Sequence, residues 1–317
     1  MIPLEKIQGA QQTIAGAAIR TPLVRLDAPE AAAEIYLKLE NLQPIGSFKI
    51  RGATNAIRRA LPQATARGVV TASAGNMAQG VAWAARELGV PATIVVPEHA
   101  SETKLAAIER LGGTVVKVPF ERWWQAIAES RYDQAEGLFV HPVQDDLVMA
   151  GNGTIGLEIL EDLPDPDLVL VPYGGGGLTT GIASAIKALA PAVRVCSVEP
   201  ETGAPLAASL AAGEMREAEY TPSFVDGSGS PRLLPKMWEL VRPLIDGSFT
   251  ASLDEIAGTI RLLAERARVI AEGAGALAPA VALSGRAGTG KIVCVVSGGN
   301  IDTSLLTRIL VGETPET

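Results

Sequence analysis

Residues 40–53 read Glu-Asn-Leu-Gln-Pro-Ile-Gly-Ser-Phe-Lys-Ile-Arg-Gly-Ala, and the single lysine in this stretch decides how the chain is interpreted. Apolar residues precede it, and Pro44 and Gly46 break the chain, so the pattern predicts a strand and then a helix that Ser47 caps. Lys49 would lie on the first turn of that helix. A helix N-terminus carries partial positive charge and burial disfavours an ammonium, so both lower the pKa of the amine. The stretch therefore predicts a neutral, nucleophilic amine, which can form an imine with an aldehyde.

The composition of the chain excludes several classes of protein. Its 317 residues are 47% hydrophobic, with a net charge of -8 and a pI near 5.0. An acidic chain without a cluster of Lys and Arg is not expected to bind nucleic acid or an anionic membrane. No apolar run is long enough to span a membrane and the N-terminus lacks a signal-peptide pattern, so we expect a cytoplasmic protein. Cys196 and Cys294 lie in strand-like apolar runs, which favours buried thiols over a disulfide.

Two glycine-containing turns are candidate ligand sites. The apolar run 69–72 is followed by Ser-Ala-Gly-Asn-Met-Ala-Gln-Gly, whose small residues ahead of a helix suit a carboxylate. The apolar run 167–173 is followed by Gly174, Gly175, Gly176 and Gly177 and then a helix, which suits a phosphate. Glu199 follows about 20 residues later, which is also the outline of a dinucleotide fingerprint. The residues alone therefore leave open a non-catalytic small-molecule-binding or NAD-binding protein with an inert, solvated lysine.

The lysine motif resembles the cofactor-lysine motif of the serine/threonine dehydratase family, the threonine ammonia-lyases and serine racemases. That family belongs to the fold-type II pyridoxal phosphate enzymes, which are similar to the tryptophan synthase β subunit. Further motifs follow in the family's order from about Thr21 to Asn300. The resemblance implies an α/β fold of two domains, each a mostly parallel twisted sheet flanked by helices. We expect a large cofactor-binding domain of residues 1–65 and 144–317 and a small substrate-loop domain of residues 66–143.

The resemblance also implies roles for individual residues. Cofactor binding is expected of Phe48, Lys49, Asn76, Gly174, Gly175, Gly176, Gly177, Leu178 and Ser297. Substrate binding is expected of Ser73, Ala74, Gly75, Asn76 and Met77, where Met77 replaces the histidine usual in the family. In the family, the matching lysine carries pyridoxal 5'-phosphate, the asparagine contacts the ring hydroxyl, the glycines hold the phosphate and the serine hydrogen-bonds the pyridine nitrogen.

The activity that the resemblance implies is dehydration of a β-hydroxy amino acid, such as L-threonine or L-serine, to a 2-oxo acid and ammonia. Lys49 would also act as general base for the α proton. Racemisation is an alternative, but racemases of this group use a serine where this chain has Ala74, and a methyl group cannot move a proton. A β-replacement reaction is a further alternative. The expected partners are a small amino acid substrate and a second copy of the chain in a homodimer.

Two further features of the sequence are a partial match to a metal site and a pair of adjacent tryptophans. Several family members bind a divalent metal through a glutamate, a carbonyl and an aspartate. Here Glu199 and Gly203 match the first two, but Pro205 replaces the aspartate, so we expect no metal requirement. The adjacent Trp123 and Trp124 point to different helix faces, so at most one should be buried, and we expect packing or an interface rather than ligand binding.

Overall fold

Two separate β-sheets organise the part of the chain that the structure describes, residues 1–60 and 66–316 of a computed structural model. The strands are β1 (Leu23–Arg25), β2 (Glu34–Leu39), β3 (Val69–Ala72), β4 (Ala92–Pro97), β5 (Gly113–Val118), β6 (Leu138–Phe139), β7 (Leu168–Pro172), β8 (Arg194–Pro200), β9 (Gly247–Ala251) and β10 (Lys291–Val296). The helices are α1 (Leu4–Thr13), α2 (Lys49–Arg59), α3 (Asn76–Glu87), α4 (Glu102–Arg110), α5 (Phe120–Glu129), α6 (Asp146–Asp162), α7 (Gly177–Leu189), α8 (Pro205–Ala212), α9 (Pro235–Val241), α10 (Leu253–Leu262), α11 (Gly273–Leu283) and α12 (Thr303–Leu310).

The larger sheet has six strands in the order β1-β2-β10-β7-β8-β9. All neighbours are parallel except β1 and β2. Helices cover both faces of such a sheet, so its central strands read as continuous apolar runs. Cys294 illustrates this, because it lies in the middle of β10 between Leu37 and Leu170 and is fully buried. Both cysteines are buried free thiols, as predicted.

The smaller sheet has four parallel strands in the order β5-β4-β3-β6. Ile50 and Ile57 of α2 pack in the same apolar cluster as Ile94 of β4. A helix from the first predicted segment of the large domain therefore packs on the smaller sheet. The strands of the smaller sheet all lie within residues 66–143, but the domain boundaries themselves stay a prediction, and residues 61–65 lie outside the described residues.

Helix α6 is packed closely between α2 and α7. A Cβ atom added to Gly151 of α6 would lie 2.5 Å from the carbonyl oxygen of Arg51, and one added to Gly181 of α7 would lie 2.4 Å from the carbonyl oxygen of Met149. Glycine at these contacts lets the backbones approach closely. This packing fixes the two helices that begin at the predicted lysine and at the predicted glycine loop.

Residues 200–250 show no regular apolar pattern in the sequence and were therefore expected to be irregular, which was wrong. The segment contains α8, α9 and β9. Proline occupies the first turn of both helices, at Pro205 and Pro235, where its missing N–H costs nothing. Strand β9 is a partly exposed edge strand with few large apolar residues, so it lacks the usual strand pattern.

Within the described residues, no helix is long and apolar enough to cross a membrane.

Candidate active site

A cavity of about 380 Å³ lies where the carboxyl ends of strands from both sheets meet. In parallel sheets, ligands bind in crevices at this edge. The cavity is lined by all thirteen residues that the sequence proposed for cofactor or substrate: Phe48, Lys49, Ser73, Ala74, Gly75, Asn76, Met77, Gly174, Gly175, Gly176, Gly177, Leu178 and Ser297. The structure thus brings together residues that are spread over some 250 positions of sequence.

Lys49 is the first residue of α2 and is half-buried. Its Nζ donates a hydrogen bond to the carbonyl oxygen of Pro142 at 3.1 Å and lies 5.1 Å from the centroid of the Phe48 ring. Burial is the main cause that lowers the pKa of Lys49, to about 8. A substantial fraction of the amine is therefore neutral near physiological pH, as the sequence predicted.

The start of α2 is held in a different way from the one predicted. No side chain caps this helix, so the expected cap by Ser47 was wrong. The Oγ atom of Ser47 is instead buried without a hydrogen-bond partner among the described residues. The backbone N–H of Phe48 donates to the carbonyl oxygen of Ser297 at 3.0 Å, and Ser47 forms a β-bridge with Gly298. Backbone pairing with the end of β10 therefore positions the lysine.

The glycine loop lies at the N-terminus of α7. Gly176 has a φ of +92°, which favours glycine, and a Cβ atom added to Gly175 would lie 2.4 Å from Val143 Cγ2. The N–H groups in the first turn of a helix have no acceptor within the helix. A helix N-terminus with free amides attracts an anion such as a phosphate. Next to the loop, Leu178 and Phe48 belong to one apolar cluster and both line the cavity, which suits an aromatic ring.

The predicted substrate turn connects β3 to α3, which begins at Asn76. The Ser73 hydroxyl accepts a hydrogen bond from the Gly75 N–H at 3.3 Å, which stabilises the turn. Ala74 presents only a methyl group. Met77 is 2% exposed and packs in the apolar core of the smaller sheet. The methionine that replaces the usual histidine therefore presents no polar group to the cavity and adds an apolar side chain to the core.

Asn76 is held by two residues to which the sequence had given no role. Its Nδ2 donates to Glu272 Oε1 at 2.7 Å, and its Oδ1 accepts from Asn300 Nδ2 at 2.8 Å. Burial, with a contribution from the charge of Asp226, raises the pKa of Glu272 to about 8, so its carboxyl is largely protonated at neutral pH. These hydrogen bonds fix the orientation of the Asn76 amide in the cavity wall.

His141 shapes the turn that faces Lys49. Its Nδ1 accepts hydrogen bonds from the backbone N–H groups of Val143 and Gln144 at 3.0 and 2.9 Å. Burial lowers the pKa of His141 to about 4, so the ring is neutral and can accept both. The histidine therefore positions Pro142 and Val143, which contact the lysine and the glycine loop, so its role in this structure is structural.

A buried cluster of four charged residues, Lys38, Glu40, Arg51 and Glu158, anchors α2. Arg51 binds Glu40 through Nε and Nη2, both at 2.8 Å, and Glu158 through Nη1 at 2.6 Å and Nη2 at 2.9 Å. Lys38 Nζ lies 2.6 Å from Glu158 Oε2. Burial disfavours the Glu40 carboxylate, but the charge and hydrogen bonds of Arg51 hold the pKa of Glu40 below its usual value. Two cations thus balance two anions in this cluster. Arg51, at its centre, lies two residues after Lys49 on the same helix.

Glu199, a candidate metal ligand, caps a helix. Its Oε1 accepts from the N–H of Leu206 at 3.0 Å and its Oε2 from the N–H of Ala207 at 2.8 Å, both in the first turn of α8. Burial raises the pKa of Glu199 to about 7. Among residues 1–60 and 66–316, no three His, Cys, Asp or Glu side chains are grouped to hold a metal. Gly203 lies in the turn between Glu199 and this helix.

Several cavity residues escaped the sequence interpretation. They are His99, Lys104, Phe120, Trp123, Glu272 and Asn300. Lys104 and Asp226 form an ion pair across the cavity, between α4 and the segment before α9. Trp123 packs against the apolar cluster of the smaller sheet and, beyond what was expected of it, also lines the cavity. The only signal for these residues was position, because most of them follow strands that end at this edge.

Comparison with known proteins identifies the family. A family model described as pyridoxal-phosphate dependent enzyme matches residues 14–298. The chain belongs to this family. Among its relatives, the L-threonine ammonia-lyase of Thermotoga maritima is 43% identical over 315 residues, 98% of this chain and 78% of that protein. The catabolic L-threonine dehydratase of Escherichia coli is 40% identical over 316 residues, 97% of this chain and 96% of that protein.

Solved structures agree with this assignment. Maize serine racemase has a TM-score of 0.89 and 32% identity, with 97% of this chain and 96% of that chain covered. A threonine deaminase from T.th. has a TM-score of 0.86 and 36% identity, with 94% and 98% covered. The predicted α/β architecture of a fold-type II pyridoxal phosphate enzyme is therefore confirmed, as is the predicted cofactor.

The residues present fit pyridoxal phosphate. An amine of lowered pKa suits its aldehyde, and a glycine loop at a helix N-terminus suits its phosphate. Membership of a pyridoxal-phosphate-dependent family favours this cofactor over a dinucleotide as the ligand of the chain.

Proposed function

We propose that this protein is a pyridoxal-phosphate-dependent ammonia-lyase that dehydrates a β-hydroxy amino acid, L-threonine or L-serine, to a 2-oxo acid and ammonia. One observation carries the proposal. A half-buried lysine of lowered pKa and a glycine loop line one cavity, in a chain 40% and 43% identical to L-threonine dehydratases over nearly its whole length. The serine activity rests on the family resemblance.

The cavity residues have separate roles in cofactor binding and in proton transfer. Bound pyridoxal phosphate supplies an electron sink for the electrons of the broken Cα–H bond. Lys49 Nζ would hold it covalently, residues 174–177 would hold its phosphate, Asn76 its ring oxygen and Ser297 its ring nitrogen. Lys49 Nζ is also the basic atom that takes the α proton of the substrate.

Ser297 and the turn at residues 73–76 influence which reaction follows removal of the α proton. A neutral hydroxyl at the ring nitrogen stabilises a protonated pyridine less than a carboxylate would, which favours prompt loss of the β-hydroxyl. The first turn of α3 offers free N–H groups to the substrate carboxylate. The Asn76 side chain, fixed by Glu272 and Asn300, holds the orientation of that turn.

Racemisation shares this fold, since serine racemases are among the structural neighbours. A racemase needs a second acid or base on the opposite face of Cα. The methyl group of Ala74 cannot serve where racemases of the family use a serine. Dehydration is therefore the activity that the cavity supports best.

We also propose that the protein is cytoplasmic and forms a homodimer, and that residues 1–65 with 144–317 and residues 66–143 are its two domains. The family resemblance supports the dimer, and the distribution of strands between two sheets supports the domains. The net charge of -8 disfavours nucleic acid as a partner.

The test is turnover of L-threonine and L-serine by the purified holoenzyme, with 2-oxo acid and ammonia measured separately. We expect equal amounts of the two products. Lys49→Ala should abolish turnover, whereas Lys6→Ala, a change of an exposed lysine, should leave it unchanged. Holoenzyme that binds the cofactor but forms no 2-oxo acid from either substrate would overturn the proposal.

A further inference from the structure

Three aromatic side chains, His99, Phe120 and Trp123, form one wall of the active-site cavity, which we call the aromatic wall. The ring centroids of His99 and Phe120 are 6.0 Å apart, and those of Phe120 and Trp123 are 5.5 Å apart. Both spacings are typical of interacting aromatic pairs. Phe, Trp and Tyr make up only 4% of the chain. A group of aromatic side chains beside a reactive lysine therefore favours a ligand that carries an aromatic group.

The topology places this wall on the substrate side of the cavity. His99 follows β4, and Phe120 and Trp123 lie on α5, which follows β5. Strand β4 is the parallel neighbour of β3, whose carboxyl end leads into the proposed substrate turn, and β5 is the parallel neighbour of β4 on its other side. The aromatic wall and that turn therefore belong to the same edge of the smaller sheet.

The accessible surface of Phe120 and Trp123 is largely carbon. Phe120 is 49% exposed, although phenyl rings are usually buried. The indole Nε1 of Trp123 is buried, so the exposed part of this half-buried side chain consists of other atoms. A flat apolar group of a ligand would cover this surface, whereas the methyl group of threonine or the hydrogen of serine would cover little of it.

Charge at the cavity argues against an anionic substituent. Lys104 is the cation that faces the cavity beside the wall, and it is already paired with Asp226. A second carboxylate on the substrate would compete with the carboxylate of Asp226 for the ammonium of Lys104 and would be repelled by it.

We propose that the aromatic wall makes this enzyme prefer β-hydroxy amino acids with an aryl group on Cβ over L-threonine and L-serine. The inference rests on the proposed function and adds its substrate class. For 3-phenylserine, the α proton and the β-hydroxyl leave as water, and a second water hydrolyses the released enamine. The products are phenylpyruvate and ammonia, and no oxidant or reductant is needed.

The test compares kcat/KM for L-threo-3-phenylserine and L-threonine in wild-type, Trp123→Ala and Trp124→Ala holoenzymes. Trp124 is the matched control, because it is the adjacent residue, is 46% exposed and does not line the cavity. We expect the wild type to favour phenylserine. The preference should fall by about tenfold in Trp123→Ala, through loss of the aromatic contact, and should persist in Trp124→Ala.

Phe120→Ala provides a second test, which decides the matter if Trp123→Ala fails to fold, and should lower the preference in the same direction. A wild type that dehydrates threonine but prefers it to phenylserine would overturn this inference and leave the proposed function standing. An unchanged preference in both variants would also overturn it. No 2-oxo acid from any substrate would overturn the proposed function and this inference with it.

Discussion

The protonation of Lys49 is set by its burial at the start of α2. With a pKa of about 8, roughly 10% of the amine is neutral at pH 7, whereas about 0.03% of an ordinary lysine with a pKa near 10.5 is neutral. Because the neutral amine attacks the cofactor aldehyde, apo-enzyme should capture pyridoxal phosphate with a rate that rises with pH and levels off above about pH 8.

Stopped-flow absorbance between about pH 6 and pH 10 measures this rate. Nα-acetyl-lysine in solution is the matched control, because its free ε-amine has the ordinary pKa. Its rate of imine formation should therefore still rise at the alkaline end of the pH range. An enzyme profile that rises in parallel with that control would show that the environment of Lys49 does not lower the pKa of its amine.

Ala74 is the residue at which dehydration and racemisation separate. Replacement Ala74→Ser supplies a hydroxyl in the cavity wall, and positioned acid–base groups typically contribute 10²–10⁴-fold to proton transfer. If a serine side chain at position 74 is the only group that racemisation lacks, the ratio of D-serine to pyruvate formed from L-serine should rise by about tenfold or more. Chiral chromatography of the reaction measures it. Substantial D-serine from the wild-type enzyme before pyruvate accumulates would contradict the role given to Ala74.

The attachment of helix α2 to the rest of the fold depends on the buried charged cluster around Arg51. Removing one partner of a buried ion pair costs about 3–5 kcal/mol, because the other charges stay buried without compensation. Arg51→Ala should therefore lower the free energy of unfolding by about that amount. Arg51→Lys should recover only part of the loss, since an ammonium cannot bind two carboxylates in bidentate fashion.

Urea unfolding of the apo-enzymes measures both changes. Arg59→Ala is the matched control, because this arginine lies on the same helix and is exposed, and exposed charges contribute little. Equal stability of the Arg51→Ala and Arg59→Ala proteins would show that the cluster does not anchor the helix.

Helix α8 uses the carboxylate that a metal would need. Glu199 already accepts two backbone N–H groups of that helix, and Pro205 offers no side-chain oxygen. Hard cations require six or more oxygen ligands. Turnover of L-threonine should therefore survive excess chelator, and added Mg²⁺ or Ca²⁺ should not raise it. A large loss on chelation that either metal reverses would mean that Glu199 exchanges its helix for a metal.

For the whole molecule, the sequence predicted the elements that carry their own local signals. Strands β3 and β7 coincide, to within one residue at each end, with the predicted apolar runs 69–72 and 167–173, because each of these runs ends at a glycine-containing turn. The lysine motif, the glycine loop and the Ser297 strand end were found for the same reason. Their meeting in one cavity follows from the parallel sheets, whose carboxyl ends share an edge.

The contacts that complete the cavity left no local signal. Glu272 hydrogen-bonds Asn76 across 196 positions of sequence, and Lys104 pairs with Asp226 across 122. Helical spacing showed that Trp123 and Trp124 face different ways but not which of them faces the cavity. The Ser47 cap failed because backbone pairing with Gly298, far along the chain, determines how α2 begins.

The cavity residues of both sheets surround Lys49, the residue that we propose carries the cofactor. Borohydride reduction of the holoenzyme, followed by peptide mapping with mass spectrometry, identifies the lysine that is bonded to the cofactor. We expect reduction to bleach a violet-region absorption band and to leave a pyridoxyl group on Lys49. A pyridoxyl group on another lysine, or a holoenzyme without a reducible covalent bond, would contradict the claim.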